Sequence, residues 1–399
     1  MKKYPASLIF IFIAATLDMV GMGIIIPSLP HIMKRFFTSD FDVSAHYGYF
    51  IALFASMQFL ASPLLGAISD HFGRRPILLL SIFVAGLDYI LMAFAPTLPI
   101  LYFGRIISGL TSAGFTVAMA YVADISTDEN RSKNFGLVGA SFGLGFIIGP
   151  ALGGILQKFG PEYPFLAAAV LNLTNLLFGY YVLPESLALG QRRNLTLSKL
   201  NPMQSILKTC RLPGIFSLAM AYFLFQLAGQ THPSIWILYT EKRYQWTSMQ
   251  IGFSMALVGV LATFAQAYLT GLIVPRLGEF RSVVIGLFGY AISFVFFGLA
   301  TKSWMIYLTL IVSSVFWITQ PALQSLISRS VSPKEQGELQ GSLVSFSSLA
   351  SILNPLVTTQ LFAAFSSSST ISIGMPYFFA AVICFFAISL VLRERNQLG

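Results

Sequence analysis

The sequence predicts an all-α integral membrane protein: twelve transmembrane helices in two pseudo-symmetric six-helix bundles. Three observations lead there. Hydrophobic residues make up 56% of the 399-residue chain and charged residues only 10%, with a mean hydropathy of +0.76. Soluble domains carry about 25% charge, so most of these side chains must be solvated by lipid. The basic residues cluster in alternate loops. And a polar loop, GAISDHFGRRP (66–76), has a cousin in GLIVPRLGEFR (271–281), 205 residues further on.

Taken in order, continuous apolar runs place spans near 6–34, 46–70, 76–95, 98–124, 134–157 and 163–185, then near 212–240, 248–275, 281–300, 303–329, 337–365 and 371–393. Spans of a transmembrane barrel would alternate polar and apolar over about ten residues; these runs are longer and unbroken. The breaks have local causes: Arg74-Arg75-Pro76, Pro96, Asp128 to Arg131, Gly160-Pro161 and Pro333-Lys334-Glu335. Lys2 and Lys3 before an apolar run resemble a signal peptide, but the run is long, carries Asp18 and lacks a small-residue cleavage site, so it reads as a retained first helix.

Seventeen Lys and Arg residues fall in the loops of one side and six on the other, with Arg105 left inside a span. The richer side is expected in the cytoplasm, which puts both termini there. The net charge of +9 is thereby a topology signal rather than a sign of nucleic-acid binding. Residues 186–211 form the longest linker and separate an N-terminal bundle (1–185) from a C-terminal one (212–399). At the same 205-residue offset Gly66 matches Gly271, Gly73 matches Gly278 and Pro150 matches Pro355. Such repeated halves are expected to hold a substrate near mid-membrane.

The repeats differ in charge. The offset carries Asp18, Asp88 and Arg105 onto Phe223, Ser293 and Leu310. A charge in hydrocarbon costs at least about 2.5–3.5 kcal/mol, so it is paired or functional. Asp88 lies roughly 18 Å into the third span at about 1.5 Å per residue. An aspartate taken out of water can take up and release protons near neutrality, and Arg105 would compete for its charged form. Asp18, Asp88 and Arg105 are therefore the candidate proton-coupling residues; a static ion pair is the plainer alternative. Pro275 stands where the first loop has Asp70, so a charged latch is expected in the first copy only.

Three stretches, GAISDHFGRRP (66–76), LYFGRIISGL (101–110) and GLGFIIGPALGG (143–154), together with LPES (183–186), resemble signatures of the major facilitator superfamily. The chain is most similar to its twelve-span drug/proton antiporters, and among them to tetracycline-efflux proteins, through LDMVGMGIIIPSLP (17–30), ALFASMQFLASPLLG (52–66), GASFGLG (139–145) and FQLAGQ (225–230). The resemblance implies a gating motif of Gly66, Asp70, Gly73, Arg74 and Arg75, with Arg74 paired to Asp124 and Asp70 facing a helix that starts near Gln336. It implies an antiporter motif of Gly145, Gly149, Pro150, Gly153 and Gly154 that packs the fifth helix on the eighth. Candidate substrate-binding residues are Gln58, Gln226, Gln230, Trp236, Gln266 and Gln324, polar or aromatic groups at lipid depth that equally serve as helix-to-helix contacts. His232 and the aromatic Phe223, Phe225, Tyr239 and Phe316 lie in the same spans.

The match departs at Ala262 and Tyr290, where tetracycline-efflux proteins carry a histidine and an aspartate. Spans eight to twelve hold no histidine, and their only acid is Glu338. The expectation is a proton-coupled antiporter that exports small amphipathic compounds across the inner membrane. A nutrient importer, or an exporter of a siderophore or metabolite, are alternatives on the same fold. A channel or a membrane-embedded enzyme is the reading from another class. No cofactor, metal or ATP is expected, since no P-loop or His/Cys cluster occurs; the partners expected are protons, the substrate and the bilayer, with the chain as a monomer. Replacing Asp70 by Asn is expected to abolish transport while leaving membrane insertion intact; wild-type transport rates in a variant that inserts normally would refute the latch.

Overall fold

The computed structural model describes residues 4–112, 114–127, 131–187, 192, 216–329, 336–366 and 371–398. Most of the predicted linker lies outside these residues, as do Cys210, the breaks at 128–130 and 333–335 and the side chain of Glu338. The described elements are all helical. Eleven are long and apolar enough to cross a membrane: α1 (Leu8–Met33), α2 (Asp40–Phe72), α3 (Arg74–Phe94), α4 (Leu98–Ile125), α5 (Asn134–Leu156) and α6 (Tyr163–Val182) come before the linker. After it stands α7, made of Phe216–Gly229 and Thr231–Tyr244. Then follow α8 (Ser248–Leu277), α9 (Glu279–Leu299), α10 (Ser303–Arg329), α11 (Leu339–Phe365) and α12 (Ser372–Glu394). With α7 counted as one interrupted span, the predicted twelve are present.

The interruptions have sequence causes. Pro233 has no N–H to give the Gly229 carbonyl, and the helix of α7 is broken for one residue, Gln230. In α4 the helical segments are Leu98–Thr111 and Gly114–Ile125, with Ser112 between. A π-turn at Ala265–Leu269 widens α8 and carries Gln266. Two boundaries correct the acid count made from sequence. Glu279 is the first residue of α9, and Glu394, only 2% exposed, closes α12, so Glu338 is not the sole acid of the last five helices.

The outward faces suit lipid. Phe103, Val170, Val344 and Phe386 are each more than half exposed, an apolar display that a water-solvated protein would cover. The chain forms two compact units that do not follow its order. Unit one is Met1–Phe36, Leu53–Leu200 and Thr247–Gly259; unit two is Phe37–Ala52, Asn201–Trp246 and Val260–Gly399. The first turns of α2 thus belong with α7 and α11: Asp40 accepts a 2.5 Å ion pair from Lys242, and a Cβ on Gly48 would lie 2.9 Å from the Pro355 carbonyl oxygen. The first turns of α8 belong with α5, where a Cβ on Gly252 would lie 3.0 Å from the Pro150 carbonyl carbon.

Within unit one the glycines of α5 do two jobs. A Cβ on Gly145 would stand 2.7 Å from the Met19 carbonyl carbon, one on Gly149 2.6 Å from the Gly23 Cα, and one on Gly153 2.9 Å from the Ile24 carbonyl carbon. These three seat α5 against the backbone of α1. Only Gly154, with 2.9 Å to the Met249 Cα, and Pro150 address α8. The motif expected to serve α8 therefore serves mainly α1, because small residues every four positions form one stripe. Both loops of the sequence repeat turn on a glycine at positive φ, 109° at Gly73 and 77° at Gly278, a conformation in which a Cβ is strained.

Gly149→Ala should lower stability by about 1–3 kcal/mol, because its methyl meets backbone that cannot swing aside. Gly139→Ala, with nothing within 4 Å of its Cβ position, should be neutral or gain about 0.5–1 kcal/mol. Thermal unfolding of the two variants in detergent separates them; equal behaviour would contradict this packing.

Candidate functional site

Among the described residues, unit one holds three of the four buried charged side chains, Arg74, Asp88 and Arg105; the fourth, Glu394, lies in unit two. Asp88, on α3, and Arg105, on α4, are 4% and 5% exposed, with Arg105 Nη1 3.9 Å from Asp88 Oδ2. The approach depends on Gly104: a Cβ there would lie 2.6 Å from Asp88 Oδ1. Arg105 also donates from Nη2 to Met92 Sδ at 3.0 Å and lies over the Phe54 ring at 5.1 Å. The Asp88 carboxylate has two polar neighbours, the Arg105 guanidinium at 3.9 Å and the Ser108 hydroxyl, and neither forms a short two-pronged clamp on it. Asp18, on α1, is within electrostatic reach of Tyr89, which also feels Asp88 and Arg105. The adjoining face of α6 supplies Asn172 and Asn175, both fully buried; Asn175 donates to the Ala14 carbonyl at 2.9 Å. Asp18, Asp88 and Arg105 are thus all within electrostatic reach of Tyr89.

The gating motif forms a second cluster in the same unit. Arg74 is 8% exposed and pairs with Asp70 at 2.5 Å and Asp124 at 3.1 Å, while its Nη1 donates to Ser69 Oγ at 2.7 Å. Glu185 was not singled out from sequence, although LPES was, and it turns out central. It accepts from the backbone N–H groups of Arg74 (2.9 Å), Arg75 (3.2 Å), Ser186 (3.0 Å) and Leu187 (3.1 Å). An acid at the start of α3 satisfies otherwise unpaired donors and the positive helix end. The signal available was an acid in the first residues after an apolar span. Gly73 makes the space, since a Cβ on it would lie 2.9 Å from the Glu185 carboxyl carbon. Ser186 ties the cluster to Asp124 with a 3.0 Å bond, and Arg75 bonds the Tyr180 carbonyl. Gly66, by contrast, has nothing within 4 Å of its Cβ position.

The second loop copy, with Pro275 in the place of Asp70, carries a charged pair of its own further along. Glu279 pairs with Arg329 at 2.9 Å and accepts from Ser325 Oγ at 2.5 Å. At the 205-residue offset Glu279 is the counterpart of Arg74, and Arg329 of Asp124. Each repeat therefore bridges the start of one helix to the end of another, with the signs exchanged. The sequence comparison missed this because it looked for an acid at one aligned position, whereas the pair conserves attraction and not identity.

Unit two carries a neutral polar face. On α7, Tyr222, Gln226 and Gln230 recur every four residues; on α11, Ser347 and Ser351 do the same. Gln226 Nε2 donates to Ser347 Oγ at 2.6 Å, and Gln230 Nε2 to Ser351 Oγ at 2.8 Å. Tyr222 lies 3.1 Å from Ser347 Oγ and accepts from Gln324 Nε2 at 3.2 Å. Three candidate substrate residues thus share one network. The other three stand apart. Gln58 donates to Ser112 Oγ at 3.0 Å, bridging α2 to the break in α4. Gln266 is exposed on the π-turn of α8. Trp236 is 1% exposed and enclosed by His232, Trp246 and Phe297, with ring centroids 4.1, 6.0 and 6.2 Å away. Among the described residues no group of three His, Cys, Asp or Glu side chains is arranged to hold a metal.

Comparison with known proteins extends this picture. The family profile described as Major Facilitator Superfamily matches residues 11–355 and again 218–397. The chain is 42% identical to "Tetracycline resistance protein, class C" of Escherichia coli, covering 92% of each chain. It is 28% identical to "Multidrug resistance protein 2" of Bacillus subtilis (strain 168), over 95% of this chain and 92% of that one. Among solved structures it resembles the human organic anion transporter MFSD10 (TETRAN), with a TM-score of 0.71 and 22% identity over 98% and 100% of the two chains. It also resembles a bacterial homologue of human Spinster in an inward-facing, occupied conformation, with a TM-score of 0.79 and 14% identity over 99% and 98%.

The two helix-end bridges should differ in weight. Asp124→Ala removes a partner from a nearly buried guanidinium and should cost about 1–3 kcal/mol of stability. Arg329→Ala removes a side chain that is 76% exposed and leaves Glu279, 14% exposed, with the Ser325 hydroxyl still donating to it; it should cost less, about 1 kcal/mol. Unfolding midpoints of the two purified variants check the order.

Proposed function

Because the chain belongs to the Major Facilitator Superfamily and crosses the membrane many times, we propose that it is a proton-coupled antiporter exporting small amphipathic, tetracycline-like compounds. It would sit in the inner membrane with both termini in the cytoplasm and work without ATP or a metal cofactor of its own. The kinship to tetracycline resistance proteins across nine-tenths of the chain supports the drug class and the outward direction.

The observation that carries proton coupling is the Asp88–Arg105 pair. With Arg105 at 3.9 Å and the Ser108 hydroxyl as its polar neighbours, the aspartate is stabilised enough to ionise and loose enough to be protonated. Neutralising Asp88 would leave Arg105 with its remaining contacts to Met92 and Phe54, so the protonation state changes the charge of the region without emptying it. Asp18 supplies a second carboxylate within the same electrostatic neighbourhood. A carrier needs that property: an ionisable group whose charge is felt by its surroundings. Export in exchange for protons then follows if substrate and proton favour opposite charge states of this region. The gating cluster around Arg74 and the stripe of α5 glycines would be the parts that hold and release the helices during alternating access.

Uptake of tetracycline with magnesium into proteoliposomes, driven by an imposed pH gradient, tests the proposal directly. Wild-type protein is expected to accumulate the drug and to lose accumulation when the gradient is dissipated. Asp18→Asn and Asp88→Asn are each expected to reduce gradient-driven uptake by at least about tenfold, which corresponds to roughly 1.4 kcal/mol of coupling. Undiminished uptake in both variants would remove these residues from proton coupling.

A further inference from the structure

Two prolines weaken neighbouring helices of unit two at one level. Pro233 of α7 and Pro355 of α11 have no N–H, so the carbonyls of Gly229 and Ser351 lose the helical donor that would bond them. Such a missing rung is where a helix bends. The two weak turns face each other: Gln230, at the break of α7, donates from Nε2 to Ser351 Oγ of α11 at 2.8 Å. Asn354, next to Pro355 and 1% exposed, holds both sides of that break. Its Nδ2 donates to the Leu227 carbonyl before the break at 2.7 Å and to Thr231 Oγ1 after it at 2.9 Å. A backbone carbonyl can only accept, so the amide nitrogen must face Leu227, and its two hydrogens are then both engaged. Thr358 Oγ1, from the next turn of α11, lies 3.0 Å from Asn354 Oδ1 and steadies the amide.

The first repeat packs at the corresponding place without such a bridge. At the 205-residue offset Asn354 is the counterpart of Gly149 and Pro355 of Pro150. A Cβ on Gly149 would lie 2.6 Å from the Gly23 Cα, so backbone meets backbone there. Close packing of these helices therefore does not call for an asparagine. The two segments that Asn354 joins have different attachments. The first, Phe216–Gly229, carries Tyr222 and Gln226, tied to Ser347. The second, Thr231–Tyr244, carries Lys242, which pairs with Asp40 at the start of α2.

We infer that Asn354 is a positioning residue: it pins the bend of α7, so that the second segment moves together with α11 and passes its motion to the amides of the first. This deepens the transport reading and rests on it for the consequence in turnover, though not for the pin itself. Without the two bonds, the second segment tilts about Gln230 independently of α11. The Gln226 face still holds its ligand, but the rearrangement that follows binding is no longer relayed along α7.

Hydrogen–deuterium exchange of the full chain in lipid nanodiscs reads the pin directly. In Asn354→Leu the amides of residues 231–238 are expected to exchange at least about tenfold faster than in the wild type, the worth of two net hydrogen bonds. Those of residues 216–226 should keep their rates within about twofold. Thr231→Val removes one acceptor at nearly constant volume and should give an intermediate increase; Thr231→Ser keeps the hydroxyl and should give none. In proteoliposomes Asn354→Leu should carry tetracycline with magnesium at least about tenfold more slowly, with its equilibrium affinity in nanodiscs held within about threefold, and Thr231→Ser should restore the wild-type rate that Thr231→Val lowers. If Asn354→Leu does not insert, the Thr231→Val and Thr231→Ser pair decides by the same contrast. Equal acceleration in both segments, no acceleration, or local acceleration with turnover intact would overturn the inference. A wild-type chain without gradient-driven transport would reject the transport reading, and the exchange contrast between the segments would still decide the pin.

Discussion

A guanidinium and a carboxylate inside a lipid-solvated bundle have no water to correct a poor fit. Arg105 and Asp88 therefore set terms for their surroundings. Their 3.9 Å separation requires α4 to approach α3 at Gly104, where any side chain would strike the carboxylate. The rest of the guanidinium is covered by the Phe54 face and Met92, which brings α2 into the same contact. A Cβ on Gly109 would lie 2.6 Å from Met57 Cβ, and Gln58 reaches across to Ser112, so α2 and α4 remain close for another turn. The third partner, α1, arrives by another route: its backbone is pressed on the glycines of α5 and held by Asn175 of α6. Position along α2, α3 and α4 is thus tied to one pair of charges and the small residues that let it form.

The loop bridges show a looser form of the same constraint. Two helices must be joined where Gly73 or Gly278 turns the chain, and an ion pair can do it in either polarity. The second repeat uses Glu279 and Arg329, an acid at the start of a helix, which the helix dipole favours. The first uses Arg74 at that place, an unfavourable choice by itself. Glu185 offsets it by accepting the first N–H groups of α3, and Asp70 adds a second carboxylate to the guanidinium. The arginine is thereby placed under three acids, and this concentration of charge is what distinguishes the first loop from a simple staple.

Much of the fold was legible in the chain because lipid imposes a uniform rule: long apolar runs, basic loops on one side and a repeat at constant offset. The buried charges Asp88 and Arg105 were legible because a charge in such a run stands out. What escaped was relational. The interruption of α7 follows from Pro233, yet the sequence reads as one span. The assignment of the first turns of α2 and α8 to units other than those of their remaining turns has no sequence mark, since Gly48, Gly252 and Gly259 fit any close contact. Glu185 was hidden in a motif noted for its resemblance, and the Glu279–Arg329 pair was hidden by its inverted sign. Trp236 and Gln266 looked equivalent to Gln226 as polar or aromatic groups at depth, but only packing separates an enclosed indole and an exposed amide from an amide in a network.

The repeats also show why charge and recognition can be separated in one fold. Where unit one has Asp88 and Arg105, unit two has Ser293, bonded to its own helix at the Gly289 carbonyl, and Leu310, fully buried. That location is closed by packing and has no polar group left to offer. The hydrogen-bonded face of unit two lies on α7 and α11 instead, and Tyr222, Gln226, Gln230, Ser347 and Ser351 carry it without a charged group. A neutral hydrogen-bond face does not change when a proton arrives, whereas the aspartates of unit one do. If both tasks shared one set of side chains, every protonation would alter the recognition surface as well. Under the proposed function, keeping the neutral hydrogen-bonding groups in unit two and the aspartates in unit one would let a proton change the energy of the carrier without changing what the neutral face recognises.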